Sequence, residues 1–437
     1  MSDARRYLLA FWDGGGLVPP LLGLARRLVA RGHDVHVLSD PTVEAEARAA
    51  GCSFGPWRTA PHRTSREREH DLLRDYDYSN PMKYFPVAVR EFFGDPGPRW
   101  VADTLDEIRR HPVDAVLCDA LVPWPILAAQ SLGLPSVALS PNVMLTPTPG
   151  LTPVGMGLRP ARGPLGRVRD AVLRRLATRM FDSAVPVLNE VRRTHGLPTL
   201  GSFGAQMWAA DAVLVLTSAA FDFAPSRAIP KLHWVGPQLD DPSWSETPAM
   251  PWGADDERPL VLVGLGSTFQ KQVGTLRNTV AALASLPVRG LVTLGPAIRP
   301  DEVPGADNVV VVPSVPHAAF MSQTSVLVTH GGHGTTIKGA AAGVPMLCIP
   351  LGRDQADNAV RVTTRGAGLQ VKATASVAKI RGAIERLLND DSFRAHAAVL
   401  AAAIHARQGD EDPVALLEGI ARRRPPVAVE GPRGATG

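Results

Sequence analysis

The feature that most restricts what this chain can fold into is an alternation of short apolar runs with amphipathic helical stretches, set twice along its length. Residues 7–40 read as strand, glycine turn, helix and strand: the apolar run Tyr7–Trp12, the stretch "PPLLGLARRLVARGH", then "DVHVLSD". Pro20 suits a first helical turn and Gly32 a helix end. The pattern recurs at "VDAVLCD", "PWPILAAQSLG", "PSVALS" and "AADAVLVLTS". It restarts after "DDPSWSETPAMPWGADDERP" (240–259) with "LVLVGLGS", "VGTLRNTVAALASL", "RGLVTLG", "NVVVVPS" and "TSVLVTH". Apolar strands alternating with helices form a parallel sheet covered on both faces, so each half is expected to be a doubly wound α/β domain.

The Pro-rich, acidic stretch has neither helical nor strand period and marks a linker. The expected division is a first domain over 1–239, a linker over 240–258, and a second domain over 259–405. A helix over 406–424 is expected to pack back on the first domain, ahead of a disordered tail over 425–437. At 437 residues the chain suits two domains of roughly 200 residues each. Two inserts, 56–100 and 142–167, interrupt the first half where loops of such folds shape pockets.

Composition excludes several classes. No run of about 20 apolar residues is present to span a bilayer, and the N-terminal apolar run, broken by Asp13, is too short for a secretory signal. A cytoplasmic protein without stable membrane insertion is expected. Cys52, Cys118 and Cys348 are far apart and odd in number, which indicates neither a disulfide framework nor a zinc site. Lys plus Arg number 46 against 42 Asp plus Glu, and the basic clusters lack interleaved aromatics, so nucleic acid is not an expected partner. A homodimer is compatible with the sequence.

Neither early glycine turn is a dinucleotide fingerprint. After Gly14 and Gly16 the third glycine is replaced by Pro19, and after Gly264 and Gly266 by Phe269, although Asp40 closes the second strand as a ribose-binding acid would. No G-x-S-x-G is present for a serine hydrolase. The informative segment is "SVLVTHGGHGTTIKGAAAGVPMLCIPLGRDQADNAVRV". A strand ends at Thr329, and His330 is followed by a turn whose Gly331, Gly332 and Gly334 carry no side chains. A helix is expected from about Thr335. Such a turn presents backbone N–H groups and the positive end of a helix dipole, which suits a diphosphate. His330 and Thr335 add donors, and Asp354 and Gln355 open a loop suited to sugar hydroxyls. Phosphate and hydroxyl binders together suggest a nucleotide sugar. His330 and His333 without a third ligand make a poor metal pair.

This segment resembles the donor signature of family 1 glycosyltransferases, and the resemblance extends to "PPLLGLARRLVARGHDV", "GPQLDD" and "LVGLGST". It implies the GT-B fold, two Rossmann-like domains facing a cleft, and inverting, metal-independent transfer from a nucleoside diphosphate sugar to a hydroxyl of a lipophilic small molecule, without a cofactor. By the same resemblance His330 and the backbone from Gly331 to Thr335 hold the diphosphate, and Asp354 and Gln355 hold the sugar. Ser267 and Thr268 approach from the other side. Ser314, Val315 and His317 fall where the family reads the base, without its Trp and Gln. Lys338 stands where many users of UDP-sugars carry a ribose-binding Glu, which makes a dTDP-sugar at least as suitable a donor as a UDP-sugar.

The family's base, a histidine three residues before the helix-opening proline, is Leu17 here. Its orienting aspartate is Asp119, and Asp13 is a second carboxylate on the same turn; these two are the candidate bases. Trp12, Gly14, Gly15, Gly16 and Leu17 are then the floor and apolar walls of an acceptor pocket. Two other readings of the same architecture are an epimerase or hydrolase of nucleotide sugars and an auxiliary protein that lost the base.

Overall fold

The computed structural model describes residues 4–422 apart from 79–80, 149, 225–227, 242–249, 251, 254 and 408–410. Much of the expected linker and all of the expected tail therefore lie outside the described residues. The apolar runs form two parallel sheets. The first is built from β1 (Arg6–Ala10), β2 (Asp34–Ser39), β3 (Ser53–Pro56), β4 (Ala115–Asp119), β5 (Ser136–Ser140), β6 (Ala212–Val215) and β7 (Leu232–Trp234), in the order β3-β2-β1-β4-β5-β6-β7. The second contains β8 (Leu260–Gly264), β9 (Arg289–Thr293), β10 (Val309–Val312), β11 (Thr324–Thr329), β12 (Met346–Cys348) and β13 (Gly368–Gln370), in the order β10-β9-β8-β11-β12-β13. Both orders reverse direction after the first strand, between β1 and β4 and between β8 and β11. Loops leaving the carboxyl ends there diverge and leave a crevice, where ligands of open α/β sheets bind.

Local chemistry fixes the helix that follows β1. The helix α1 (Val18–Ala30) opens with proline in its first turn and stops at Gly32, whose φ of 90° only glycine adopts without strain. There the N–H of Gly32 bonds Val29 O at 2.9 Å and that of His33 bonds Leu28 O at 3.1 Å, which caps the last carbonyls. The second insert leads into a long helix, α2 (Gly163–Phe181), and the second sheet carries α3 (Val273–Ala284), α4 (His333–Ala341) and α5 (Gln355–Thr364).

Several contacts tie the two halves together. Val143 and Phe221, from the first half, are buried in a core cluster of the second. Asp222, just after β6, pairs with Arg361 of α5 at 2.7 Å. The last helix, α6 (Pro413–Ala421), returns to the first half, where Val414, Leu417, Ile420 and Ala421 join its core. Asp412 meets Arg27 of α1 and Arg31 just beyond it, and Glu418 meets His33 at 2.9 Å.

Candidate active site

The two switch-point turns meet face to face. Beyond β1, Asp40 at the end of β2 accepts hydrogen bonds from the backbone of Asp13 (2.7 Å) and Arg63 (2.6 Å). Burial pushes its carboxyl up to about 7. Asp40 thus shapes the first glycine turn and does not reach a ribose. Gly15, at φ 73°, presents its backbone to the second half: a Cβ there would lie 2.5 Å from Ser267 Oγ and 2.9 Å from Thr268 Cγ2. Around this junction opens a cavity of about 860 Å3 lined from both halves. It brings together all the expected site residues except Gly331 and Asp119.

On the second side, Gly331 turns the chain at φ 90°, a conformation L side chains rarely adopt, and a Cβ there would meet Gln355 O at 2.6 Å. Gly332 caps α4, which begins at His333, two residues before the expected start at Thr335. The N–H groups of His333, Gly334 and Thr335 precede the first intrahelical bond, from Thr336 N to Gly332 O at 3.1 Å, and are the orphan donors of a helix N-terminus. The His330 ring packs over Gly266 and Gly332. Burial pushes its pKa down to about 4, with the Gly264 backbone acting in the opposite direction, so it stands neutral beside the turn.

His317 is placed differently from a base reader. Its ring sits over Gly264 at the end of β8 and hydrogen-bonds Thr293 Oγ1 (3.1 Å) and Thr335 Oγ1 (3.3 Å). Burial holds its pKa down at about 4. It buttresses the second glycine turn, while Ser314 and Val315 border the cavity beside it. Lys338 is buried and pairs with Asp241, from the end of "GPQLDD". Asp241 also accepts the backbone N–H of Ala318 at 3.0 Å.

Several expectations are corrected. Neither candidate base opens onto the cavity as a free carboxylate. Asp13 is fully buried and binds Arg66 Nε at 2.8 Å and Thr42 Oγ1 at 2.7 Å. Burial raises its pKa, but Arg66 and the Thr42 hydroxyl outweigh that and hold it below the ordinary carboxylate value. Asp119 is also fully buried. It accepts Trp12 Nε1–H (2.9 Å) and Leu121 N–H (3.0 Å), and burial pushes its pKa up to about 6. The indole of Trp12 therefore occupies the aspartate that Leu17, lacking a ring nitrogen, cannot use. Trp12 and Leu17 close around Gly14, where a Cβ would strike both. Gln355 turns inward: its Oε1 accepts the N–H groups of Leu351 (2.7 Å) and Gly352 (3.0 Å), and its Nε2 donates to Gln270 (2.7 Å). Asp354 accepts Asn358 Nδ2–H at 3.0 Å.

Sequence reasoning missed the cations that hold the cavity's acids. Arg353, at φ 55°, bridges the halves by binding Asp75 through Nε (3.1 Å) and Nη2 (2.9 Å) and Thr268 Oγ1 at 3.0 Å. Arg66 holds both Asp13 and Glu46. Arg26 binds Asp240 at 2.5 Å. The signal for Arg353 was its place directly before Asp354; Arg66 lies in a charged insert with no local pattern to single it out. Among the described residues, one group has metal-ligand spacing, His36, Glu107 and His111. None of these borders the cavity, and Arg58 and Arg110 also reach Glu107, at 3.5 and 3.1 Å. No described helix is long and apolar enough to cross a membrane.

Known proteins share this arrangement. The family model described as UDP-glucoronosyl and UDP-glucosyl transferase matches residues 167–415. The chain is 28% identical over 420 residues to the 4'-demethylrebeccamycin synthase of Lentzea aerocolonigenes, covering 95% of this chain and 99% of that one. In fold it is similar to the solved glycosyltransferase of kitacinnamycin, with a TM-score of 0.75 at 22% identity over 96% of this chain and 100% of that one. The glycosyltransferase VinC, solved in complex with dTDP, gives 0.70 at 22% identity, over 96% and 100% of the two chains. The family match spans more than half of the chain, which therefore belongs to the UDP-glucoronosyl and UDP-glucosyl transferase family and is a glycosyltransferase of the GT-B fold.

Proposed function

We propose that this enzyme transfers a sugar from a dTDP-sugar, in preference to a UDP-sugar, to an acidic hydroxyl of a lipophilic small molecule, with inversion and without a metal. The observation that carries the donor preference is the buried Lys338–Asp241 pair in the cavity wall. An ammonium already committed to a carboxylate offers no acceptor for a ribose 2'-hydroxyl, so a deoxyribose loses nothing there. The dTDP complex of VinC and the name of the Lentzea relative agree with a natural-product acceptor and a dTDP donor.

In the proposed reaction the acceptor oxygen bonds to the anomeric carbon as the bond to the diphosphate oxygen breaks. The N–H groups of His333 to Thr335 and the neutral His330 ring receive the departing charge, as preorganised donors do. Leu73, Phe85, Leu145, Met180 and Phe181 supply an apolar wall for the acceptor. The carboxylates bordering the cavity are each engaged: Asp13 and Glu46 by Arg66, Asp75 by Arg353, Asp240 by Arg26, Asp241 by Lys338 and Asp354 by Asn358. With those acids engaged, the acceptor hydroxyl must itself be acidic, as a phenol is, and its proton leaves to water.

Exchanging the pair tests the donor assignment. The double substitution Lys338→Glu and Asp241→Lys keeps opposite charges together while placing a carboxylate at the ribose position. It is expected to improve UDP binding relative to dTDP by about tenfold, the effect of one hydrogen bond to a charged group. An unchanged ratio in calorimetric titrations would remove Lys338 from the nucleoside subsite.

A further inference from the structure

The long helix α2 carries a feature that sugar transfer does not use. Leu165, Val168, Val172 and Leu176 follow one another at helical spacing along one face and are 87%, 61%, 53% and 48% exposed. The neighbouring turns of the helix direct the half-buried Leu173, Ala177 and Met180 toward the cavity, so α2 is a roof with apolar side chains on both its inner and outer faces. The two faces are continuous at Leu176, which is half exposed and also borders the cavity. Scattered surface leucines need no explanation, but an uninterrupted apolar stripe along an otherwise solvated helix does.

Cations flank the stripe. Arg162, Arg167, Arg175 and Arg179 are exposed on or just before α2, and the buried Asp170 is already bonded by Arg169 at 2.7 Å. A helix with an exposed aliphatic stripe bordered by arginines has the make-up of one that lies in the headgroup region of an anionic bilayer, with apolar side chains among the acyl chains and guanidinium groups at lipid phosphates. We infer that the outer face of α2 is a peripheral docking surface for anionic lipid bilayers. It seats the cavity mouth at the membrane, so that an apolar molecule dissolved in the lipid can pass along Leu176 into the cavity. A protein partner would not need arginines on both sides of so narrow a stripe, and a second copy of this face would set arginine against arginine.

Vesicle flotation tests the surface without any knowledge of the acceptor, so its outcome is separate from that of the proposed reaction. The full chain is expected to float with vesicles of phosphatidylcholine and phosphatidylglycerol in equal parts, much less with phosphatidylcholine alone, and less as salt rises. Arg175→Ala with Arg179→Ala should weaken binding to the anionic vesicles on the order of thirtyfold, from two lost charges near the surface. Leu165→Glu with Val172→Glu should abolish it. These side chains are exposed, so the variants should keep the wild-type melting temperature. The inference is overturned if the wild type stays in the soluble fraction with anionic vesicles, or if the variants float as the wild type does. It is equally overturned if the wild type is a dimer by light scattering that the two glutamates convert to a monomer, which would assign the stripe to self-association.

Discussion

His330→Ala is expected to lower turnover of the sugar donor by about 10²–10³-fold, the usual effect of removing one preorganised donor at a developing oxyanion. The size follows from where the ring sits. It lies at the end of β11, beside the glycine turn that opens α4, over Gly266 and Gly332. Burial keeps it neutral, with a pKa of about 4, against the opposing effect of the Gly264 backbone. The loss should fall on kcat more than on KM, because the charge on that oxygen grows as the glycosidic bond breaks. Release of nucleoside diphosphate in steady state measures both. A change of less than about threefold would take His330 out of the leaving-group site.

The second large effect is on stability. Arg361→Met should destabilise the fold by about 3–5 kcal/mol, as breaking a buried pair from one side does. Arg361 reaches Asp222 through Nε (2.9 Å) and Nη2 (2.7 Å), with side chains only 6% and 2% exposed. Trp234 Nε1 also donates to Asp222 at 2.9 Å. Burial raises the Asp222 pKa, but Arg361 and these hydrogen bonds prevail and hold it below its ordinary value. A carboxyl depressed in the folded state contributes stability that is present above its unfolded pKa of about 4 and lost as pH falls through the folded value. In the variant, burial without the cation raises the Asp222 pKa instead. The gap between wild type and variant in denaturant midpoint should therefore be widest near neutrality and narrow as pH falls. A gap that is small at neutral pH would mean that the halves are joined mainly through Phe221 and Val143.

The fold was legible because its strands are continuous apolar runs and its helices have one apolar face, as at α1 and β4. Those periodicities survive whatever the tertiary context. The second glycine turn was legible for a different reason: Gly331 answers a local demand for positive φ, and Gly331 and Gly332 for close approach by Gln355 and the His330 ring, which few other residues meet. What escaped was set by long-range contact. The base candidates Asp13 and Asp119 look identical in sequence to free carboxylates. Only the fold brings Arg66 to the first and the indole of Trp12 to the second. Gln355 likewise has the chemistry to hold a sugar but spends it on the backbone of its own loop. The start of α2 escaped because the Pro- and Gly-rich insert over 142–167 runs into its first turn.

The measurement that bears most directly on the donor site is calorimetric titration of the intact protein with dTDP and with UDP, since nucleotide binding needs no knowledge of the acceptor. One site per chain for dTDP, with UDP weaker, is the expected result. It would place the diphosphate at the His330–Thr335 turn once His330→Ala is shown to weaken it. Binding of neither nucleotide would contradict the assignment of that turn to a nucleoside diphosphate.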